Sequence, residues 1–160
     1  MPRRIEKILL VALLVVLAIF SAVAMLVDDW SRDLSTNRAA TSTGNSDLLL
    51  RSLELPASPA EVRDAVIQFV EQRAAWALGN KVTGKNSRGA EREASVPLVR
   101  TSRLFRFADD LQIFLQPIET GTLVDVVSQS RVGNGDFGQN PRNIRELMLA
   151  LRKHFGLPMN

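Results

Sequence analysis

Leu111-Gln-Ile-Phe-Leu-Gln-Pro-Ile-Glu-Thr-Gly121-Thr-Leu-Val-Asp-Val-Val-Ser-Gln-Ser-Arg131 is the stretch whose reading decides the fold. Leu111, Ile113 and Leu115 alternate with Gln112 and Gln116, the pattern of a strand with one buried and one wet face. Thr120 and Gly121 turn the chain, and residues 123–131 read as a second alternating strand. Two such strands joined by a tight turn make an antiparallel hairpin.

Ahead of the hairpin, residues 96–107 read as extended. Pro97 places the start of that segment at a sheet edge, because proline has no N–H for a ladder. Residues 76–82 read as another strand, followed by a basic, glycine-containing connection over 83–89. Ser58 is an N-cap, Pro59 the first helical residue, and Glu61 completes a capping box. Val62, Ala65, Val66, Phe69 and Val70 then fall on one apolar helical face. Residues 48–55 (LLLRSLEL) read as a short first strand or an amphipathic turn. Beyond the hairpin, Asn140 as cap and Pro141 start a last helix that buries Ile144, Leu147, Met148 and Leu151. It ends at Gly156, with Pro158 beyond. The order is helix, three or four strands, helix. It predicts an α+β fold, a mainly antiparallel sheet of about four strands with two helices on one face.

The chain has 160 residues, 46% of them hydrophobic and 23% charged, enough for one domain with additions. It has no cysteine, which excludes disulfides, thiolate metal sites, iron–sulfur clusters and cysteine nucleophiles. The pI near 9.9 does not signal nucleic acid. From Asp28 onward 17 basic residues face 16 acidic ones, too balanced for an electrostatic footprint on DNA or RNA.

The basic excess belongs to the N-terminus. Residues 8–27 (ILLVALLVVLAIFSAVAMLV) run for twenty positions with Ser21 as the only polar one. As a helix this run rises about 30 Å, enough to cross the hydrocarbon core. Arg3, Arg4 and Lys7 precede it, and Asp28, Asp29 and Trp30 follow. The positive-inside tendency keeps the N-terminus in the cytoplasm and exports the rest, with Trp30 in the interfacial belt. Ala22-Val23-Ala24 has the small-x-small form of a signal-peptide cleavage site, the competing reading. The apolar run continues through Met25, Leu26 and Val27, which favours an uncleaved anchor. The expected organisation is an anchor or signal peptide over 1–27, a polar linker over 28–46 and an α+β domain over 47–160.

Several segments imitate chemical motifs. Gly133-Asn-Gly-Asp-Phe-Gly138 spells a dinucleotide fingerprint between a strand and a helix. No later strand completes a βαβ unit, and no acid follows at the ribose-binding distance, so it reads as a tight turn feeding a capped helix. Gly79-Asn-Lys-Val-Thr-Gly-Lys85 resembles a phosphate-binding loop, but Asn86 stands where a hydroxyl should hold magnesium, and a hairpin loop fits better. Asp109 and Asp110 are adjacent, so on a strand they face opposite sides, and between extended segments they read as a turn. His154, the only histidine, lies in the last turn of a helix where the dipole favours a cation. Ser128 and Ser130 have no visible base. Arg100, Arg103, Arg106, Arg131, Arg142 and Arg145 surround the glycine-rich loop. They could form an anion site with the helix start, or pair with Asp109, Asp110, Asp136 and Glu146.

Thr101-Ser-Arg-Leu-Phe-Arg-Phe-Ala-Asp-Asp110 is followed by Ser130-Arg-Val-Gly-Asn-Gly-Asp-Phe-Gly-Gln-Asn-Pro-Arg-Asn-Ile144. Together they resemble a widespread bacterial family, with plastid members, catalogued as domain of unknown function number 1499. The resemblance extends over roughly residues 48–155. It places the family pattern on Phe107, Asp109, Asp110, Ser130, Arg131, Gly133, Asp136, Gly138, Asn140 and Arg142. It implies no reaction and suggests that the glycine-rich loop is a fold signature.

The functional expectation is a membrane-anchored, non-enzymatic accessory or interaction domain on the outer, periplasmic face of the inner membrane. It crosses that membrane once and touches lipid through its N-terminal helix. Its partner is another membrane protein or an envelope complex, with no nucleic acid, nucleotide, cofactor or metal. The ligand-binding candidates are Arg131, Gly133, Asp136, Gly138, Asn140, Arg142, Asp109 and Asp110. The alternatives are an anion- or lipid-headgroup-binding module using the arginines, and an envelope hydrolase working through Asp109, Asp110 or Asp136.

Overall fold

The computed structural model describes residues 2–26, 31, 35–80, 83–85, 91–93, 96–102 and 106–158. In chain order its elements are α1 (Pro2–Leu26), β1 (Arg38–Ala40), a 3-10 turn (Leu48–Leu50), β2 (Leu53–Leu55) and α2 (Pro59–Glu71). Then come β3 (Trp76–Leu78), β4 (Thr83–Lys85), β5 (Glu91–Glu93), β6 (Val96–Thr101), β7 (Ala108–Ile118), β8 (Gly121–Ser130) and α3 (Gln139–His154).

The hairpin is the centre of the sheet. β7 and β8 pair from Asp109↔Ser130 down to Ile118↔Gly121, around a turn at Glu119 and Thr120. β6 adds to β7 and β3 adds to β6, while β1 and β2 share the free side of β8, all antiparallel. One face is apolar, with Val96 and Leu98 of β6, Leu111 and Ile113 of β7, and Val124 and Val126 of β8 all buried. They join the apolar faces of α2 and α3 in a single core that includes Val62, Val66, Phe69, Ile144, Leu147, Met148 and Leu151. Each large side chain taken from water contributes about 1.5–3 kcal/mol, so the sheet needs both helices on this face. The class is α+β, with six strands in the sheet rather than about four.

The start of α2 follows from its sequence. Ser58 N–H donates to Glu61 Oε2 at 2.7 Å, and Glu61 N–H donates to Ser58 Oγ at 3.3 Å, a complete capping box. On the far side Trp76 packs edge-on against Phe69, with ring centroids 4.8 Å apart.

Four readings of the sequence change. Residues 28–46 contain β1, which pairs Arg38↔Gln129 through Ala40↔Val127. It is held by backbone bonds and has no alternation to read; Thr41 beyond it is buried. Residues 48–55 are both a turn and a strand, not one or the other. The connection over 83–89 contributes β4, which pairs with β5 as a separate two-stranded ribbon. Pro97 lies in an interior strand, yet β3 stops at Leu78↔Leu98, and only the Pro97 carbonyl is used there, accepting from Gly79 N–H at 2.9 Å. Its missing N–H therefore costs no ladder bond. Lys81, Val82 and residues 86–90 of the phosphate-loop look-alike lie outside the described residues, as do Asp28, Asp29, Trp30 and Arg103.

The 3-10 turn is tied to α3. Asp47 accepts from Leu49 N–H at 2.8 Å and from Arg145 Nε at 2.7 Å. Burial raises the Asp47 pKa, but the Arg145 hydrogen bond, the Leu49 N–H and the Arg145 charge outweigh it and hold the carboxyl below its ordinary 3.8. A depressed carboxylate pKa stabilises the fold above the unfolded pKa, and the contribution is lost as pH falls through the folded value. The domain should therefore lose stability below about pH 4 more steeply than Asp47→Asn does. The pair is about a third exposed, so the difference should stay under about 1 kcal/mol. Urea unfolding of both proteins at pH 7 and pH 3 checks it; parallel pH dependence would show that Asp47 carries none of the acid sensitivity.

Candidate functional site

A buried polar network joins the upper end of the hairpin to the first turn of α3. Ser128, Ser130 and Asp109 fall on the inward face because they continue the alternation of Val124, Val126 and Leu111. They displace the apolar core just where α3 begins. Asp109 is buried, and both its oxygens are occupied: Oδ1 accepts from Ser130 Oγ at 2.7 Å and Oδ2 from Asn143 Nδ2 at 2.9 Å. Asn140, fully buried, accepts from Ser128 Oγ at 2.6 Å. Its Nδ2 donates to Ser130 Oγ at 3.0 Å and to the Asn37 carbonyl at 2.7 Å. Gln139 closes the network by donating to Asn143 Oδ1 at 2.6 Å.

Asp136 holds the loop. Its two oxygens accept from Gly138 N–H at 2.9 Å and Asn140 N–H at 2.8 Å. The N-cap of α3 is Gly138, in the left-handed conformation, and not Asn140. Asn140 is drawn inside by the serines, and Asp136 supplies the capping oxygens that a free helix start needs. Gly133 at φ 94° and Gly138 at φ 73° occupy the left-handed region that favours glycine. Asp136→Ala should therefore cost about 1–2 kcal/mol, a fall of several degrees in Tm.

The remaining candidates point elsewhere. Asp110, in β7 and not in a turn, faces outward and takes a two-pronged bond from Arg131, 2.8 Å from Nε and 2.7 Å from Nη2. Those bonds push the Arg131 pKa further up, but the pair is exposed. Arg131→Ala should consequently leave the melting temperature close to that of the wild type. If it matches the Asp136→Ala loss in thermal melts, the ion pair and not the cap holds the loop. Arg145 binds Asp47, Arg142 reaches Gln139 Oε1 at 3.4 Å, and Arg106 is exposed at φ 54°. Of the six arginines, the five that lie among the described residues do not gather as one set: Arg145 and Arg100 lie away from the glycine-rich loop, and Arg131 is bound by Asp110.

Arg100 is different. It sits opposite Asp109 in the β6–β7 register and lines a cleft of about 360 Å³ with Gln72, Arg73, Trp76 and Glu146. Its Nε and Nη1 are buried and have no hydrogen-bond partner. Across the cleft Glu146 accepts from Trp76 Nε1 at 3.2 Å and lies 3.4 Å from Arg73 Nε.

Chemically, the network is a set of satisfied groups. Asp109, Asp110 and Asp136 each bond different neighbours and do not pair with one another. His154 lies at the far end of α3 against Phe155, with ring centroids 4.8 Å apart, remote from Ser128 and Ser130. Among the described residues no three acidic or histidine side chains gather as a metal site. Asn143 and Asn37 were missed as network members. Asn143 had a signal, since it follows Asn140 by three residues on one helix face; Asn37 had none, because its partners are about a hundred residues away.

Fold and network together define a small antiparallel α+β domain whose sheet end is locked to its last helix by serine, asparagine and aspartate, carried behind an apolar helix. The chain belongs to the family described as Protein of unknown function (DUF1499), whose model matches residues 26–151. The match takes in β1, which the resemblance over 48–155 left out. No curated protein and no solved structure matches the chain.

Proposed function

We propose that the chain is a membrane-anchored, non-enzymatic interaction domain, held on the periplasmic face of the inner membrane by α1 and engaging another membrane protein or envelope complex. The observation that carries this reading is α1 itself. Its segment Arg4–Ala22 has a mean hydropathy of 2.5, and none of it is buried against the domain. A signal sequence has the same composition, and the test must separate the two. The charge order, with Arg3, Arg4 and Lys7 ahead of the span, supports an inward N-terminus. The expected result is a protein that resists alkaline-carbonate extraction, keeps its N-terminus, and gives an active alkaline-phosphatase fusion at its C-terminus. N-terminal sequencing that begins at Met25 would establish cleavage, and an inactive fusion would put the domain in the cytoplasm.

A second reading, an anion-binding module, has one observation in its favour: the two buried and unmet donors of Arg100 beside a cleft. A buried guanidinium N–H without a partner is costly, and a carboxylate or phosphate oxygen would satisfy it. Titration calorimetry with inorganic phosphate on wild type and Arg100→Gln tests it. Heat from the wild type alone would support the reading, and equal traces would end it.

A further inference from the structure

Outside α1, the described residues leave five large hydrophobic side chains exposed: Leu78, Phe107, Val132, Phe137 and Leu149. Three of them stand at one end of the sheet, with Phe107 56%, Val132 69% and Phe137 50% exposed. Phe107 directly precedes β7, and Val132 lies two residues past β8. The two chains are held together there by the Arg131 N–H, which donates to the Ala108 carbonyl at 3.0 Å. Phe137 sits between Asp136 and Gly138, and is tied to the same end through Asn140 and Ser130. Its backbone is left-handed, at φ 51°, where glycine or asparagine would be less strained. An exposed aromatic side chain in a strained position adds little to the core and is available for contact.

The chain coming from α1 arrives at this same end. Asn37, immediately before β1, accepts from Ser130 N–H at 2.9 Å and donates to the Gly133 carbonyl at 2.7 Å. Only residues 27–37 separate α1 from β1. Fully extended, they reach no more than about 40 Å. Arg38 at the start of β1, Arg106 before β7 and Arg142 in the first turn of α3 flank this end with positive charge, while the Arg131–Asp110 pair is neutral. Of the nearby carboxylates, Asp109 is buried, Asp110 is bound by Arg131, and Asp136 accepts the helix N–H groups.

We infer that this end of the domain rests on the bilayer from which α1 emerges, with Phe107, Val132 and Phe137 in the interfacial layer and the arginines against anionic headgroups. The inference rests on the anchor reading above and adds the orientation of the domain. Three of the five exposed large apolar side chains outside α1 thus stand at the end where the tether arrives, and the membrane is the surface that the tether holds within reach.

The absence of native cysteine allows a clean test. Full-length Val132→Cys, Phe137→Cys and, at the opposite tip of the hairpin, Glu119→Cys carry an environment-sensitive fluorophore. They are reconstituted into vesicles of phosphatidylethanolamine and phosphatidylglycerol. The expected result is a blue-shifted emission at positions 132 and 137, quenched at least twofold by lipids bearing a shallow spin label, with position 119 unaffected. Reducing phosphatidylglycerol to zero should weaken that quenching. If the protein floats with the vesicles but positions 132 and 137 are as wet as 119, the inference is overturned and the face belongs to a protein partner. A chain that does not float with the vesicles overturns the anchor reading, and this inference with it.

Discussion

Gly121→Ala is expected to destabilise the domain by about 3–4 kcal/mol, a large share of the roughly 5–15 kcal/mol that holds a domain folded. Gly121 opens β8 at φ 137°, and a Cβ built there would lie 2.1 Å from the Leu55 carbonyl oxygen and 2.9 Å from Ala57 N. Both obstacles are backbone, so no rotamer change relieves them. Relief requires β2 to leave β8, and with it the buried Leu53 and Leu55. Gly44 is the control: a Cβ there meets nothing within 4 Å, and Gly44→Ala should stay within about 0.5 kcal/mol. Urea unfolding of a fragment beginning at residue 36 measures both. A fragment beginning at residue 47 would lack β1 and is the wrong reference. Equal midpoints for the two variants would mean that β2 moves freely against the hairpin.

Asn140→Ala should cost about 3 kcal/mol, although the side chain removed is small. It leaves the buried Ser128 hydroxyl and the half-buried Ser130 oxygen and Asn37 carbonyl without the Asn140 amide, and an unmet buried polar group costs about 1–3 kcal/mol. The loss should also be local. Asn37 is the point where β1 begins, so hydrogen exchange should speed at Ala39 and Thr41 before it speeds at Leu111 or Ile113. Gln139→Ala, which removes one bond to Asn143, should lose about 1 kcal/mol and leave β1 protected. Uniform loss of protection across the sheet would show instead that the network belongs to the core and not to the seam between β1 and α3.

The hairpin, α2 and the body of α3 were legible because each is specified by neighbours in sequence: alternation at Leu111, Ile113 and Leu115, a capping box at Ser58 and Glu61, helical spacing from Ile144 to Leu151. β1 was not, since Arg38-Ala-Ala40 carries no pattern and is selected by the free edge of β8, about ninety residues away. The β4–β5 ribbon, Thr-Gly-Lys against Glu-Arg-Glu, likewise has no apolar face to announce it. At the site, Asp109, Asp136 and Asn140 were singled out from the family motif, and they do meet around Ser130 and the start of α3. Arg131 and Asp110 were singled out too, but they meet each other on the opposite face of the sheet. Adjacent strand residues diverge, and the sequence motif alone does not say which of the two faces the loop. The start of α3 was misplaced by two residues for a similar reason: Asn140 has the chemistry of a cap, but burial against Ser128 gives it other work.

The two short strands that share one side of β8 also limit how this domain can meet other chains. A long unpaired strand is a template for a foreign strand, and proteins blunt such edges or cover them. Here one margin is divided between β1 and β2, three residues each with a 3-10 turn between them, and the other ends in three-residue β3. The β1–β2 margin is therefore interrupted within a few residues, while on the other side of the hairpin β6 covers β7 only as far as Ile113. Strand addition at the β1–β2 margin is thereby disfavoured, and a contact with another chain there falls to side chains on loops and helices, which single substitutions can reverse without disturbing the sheet.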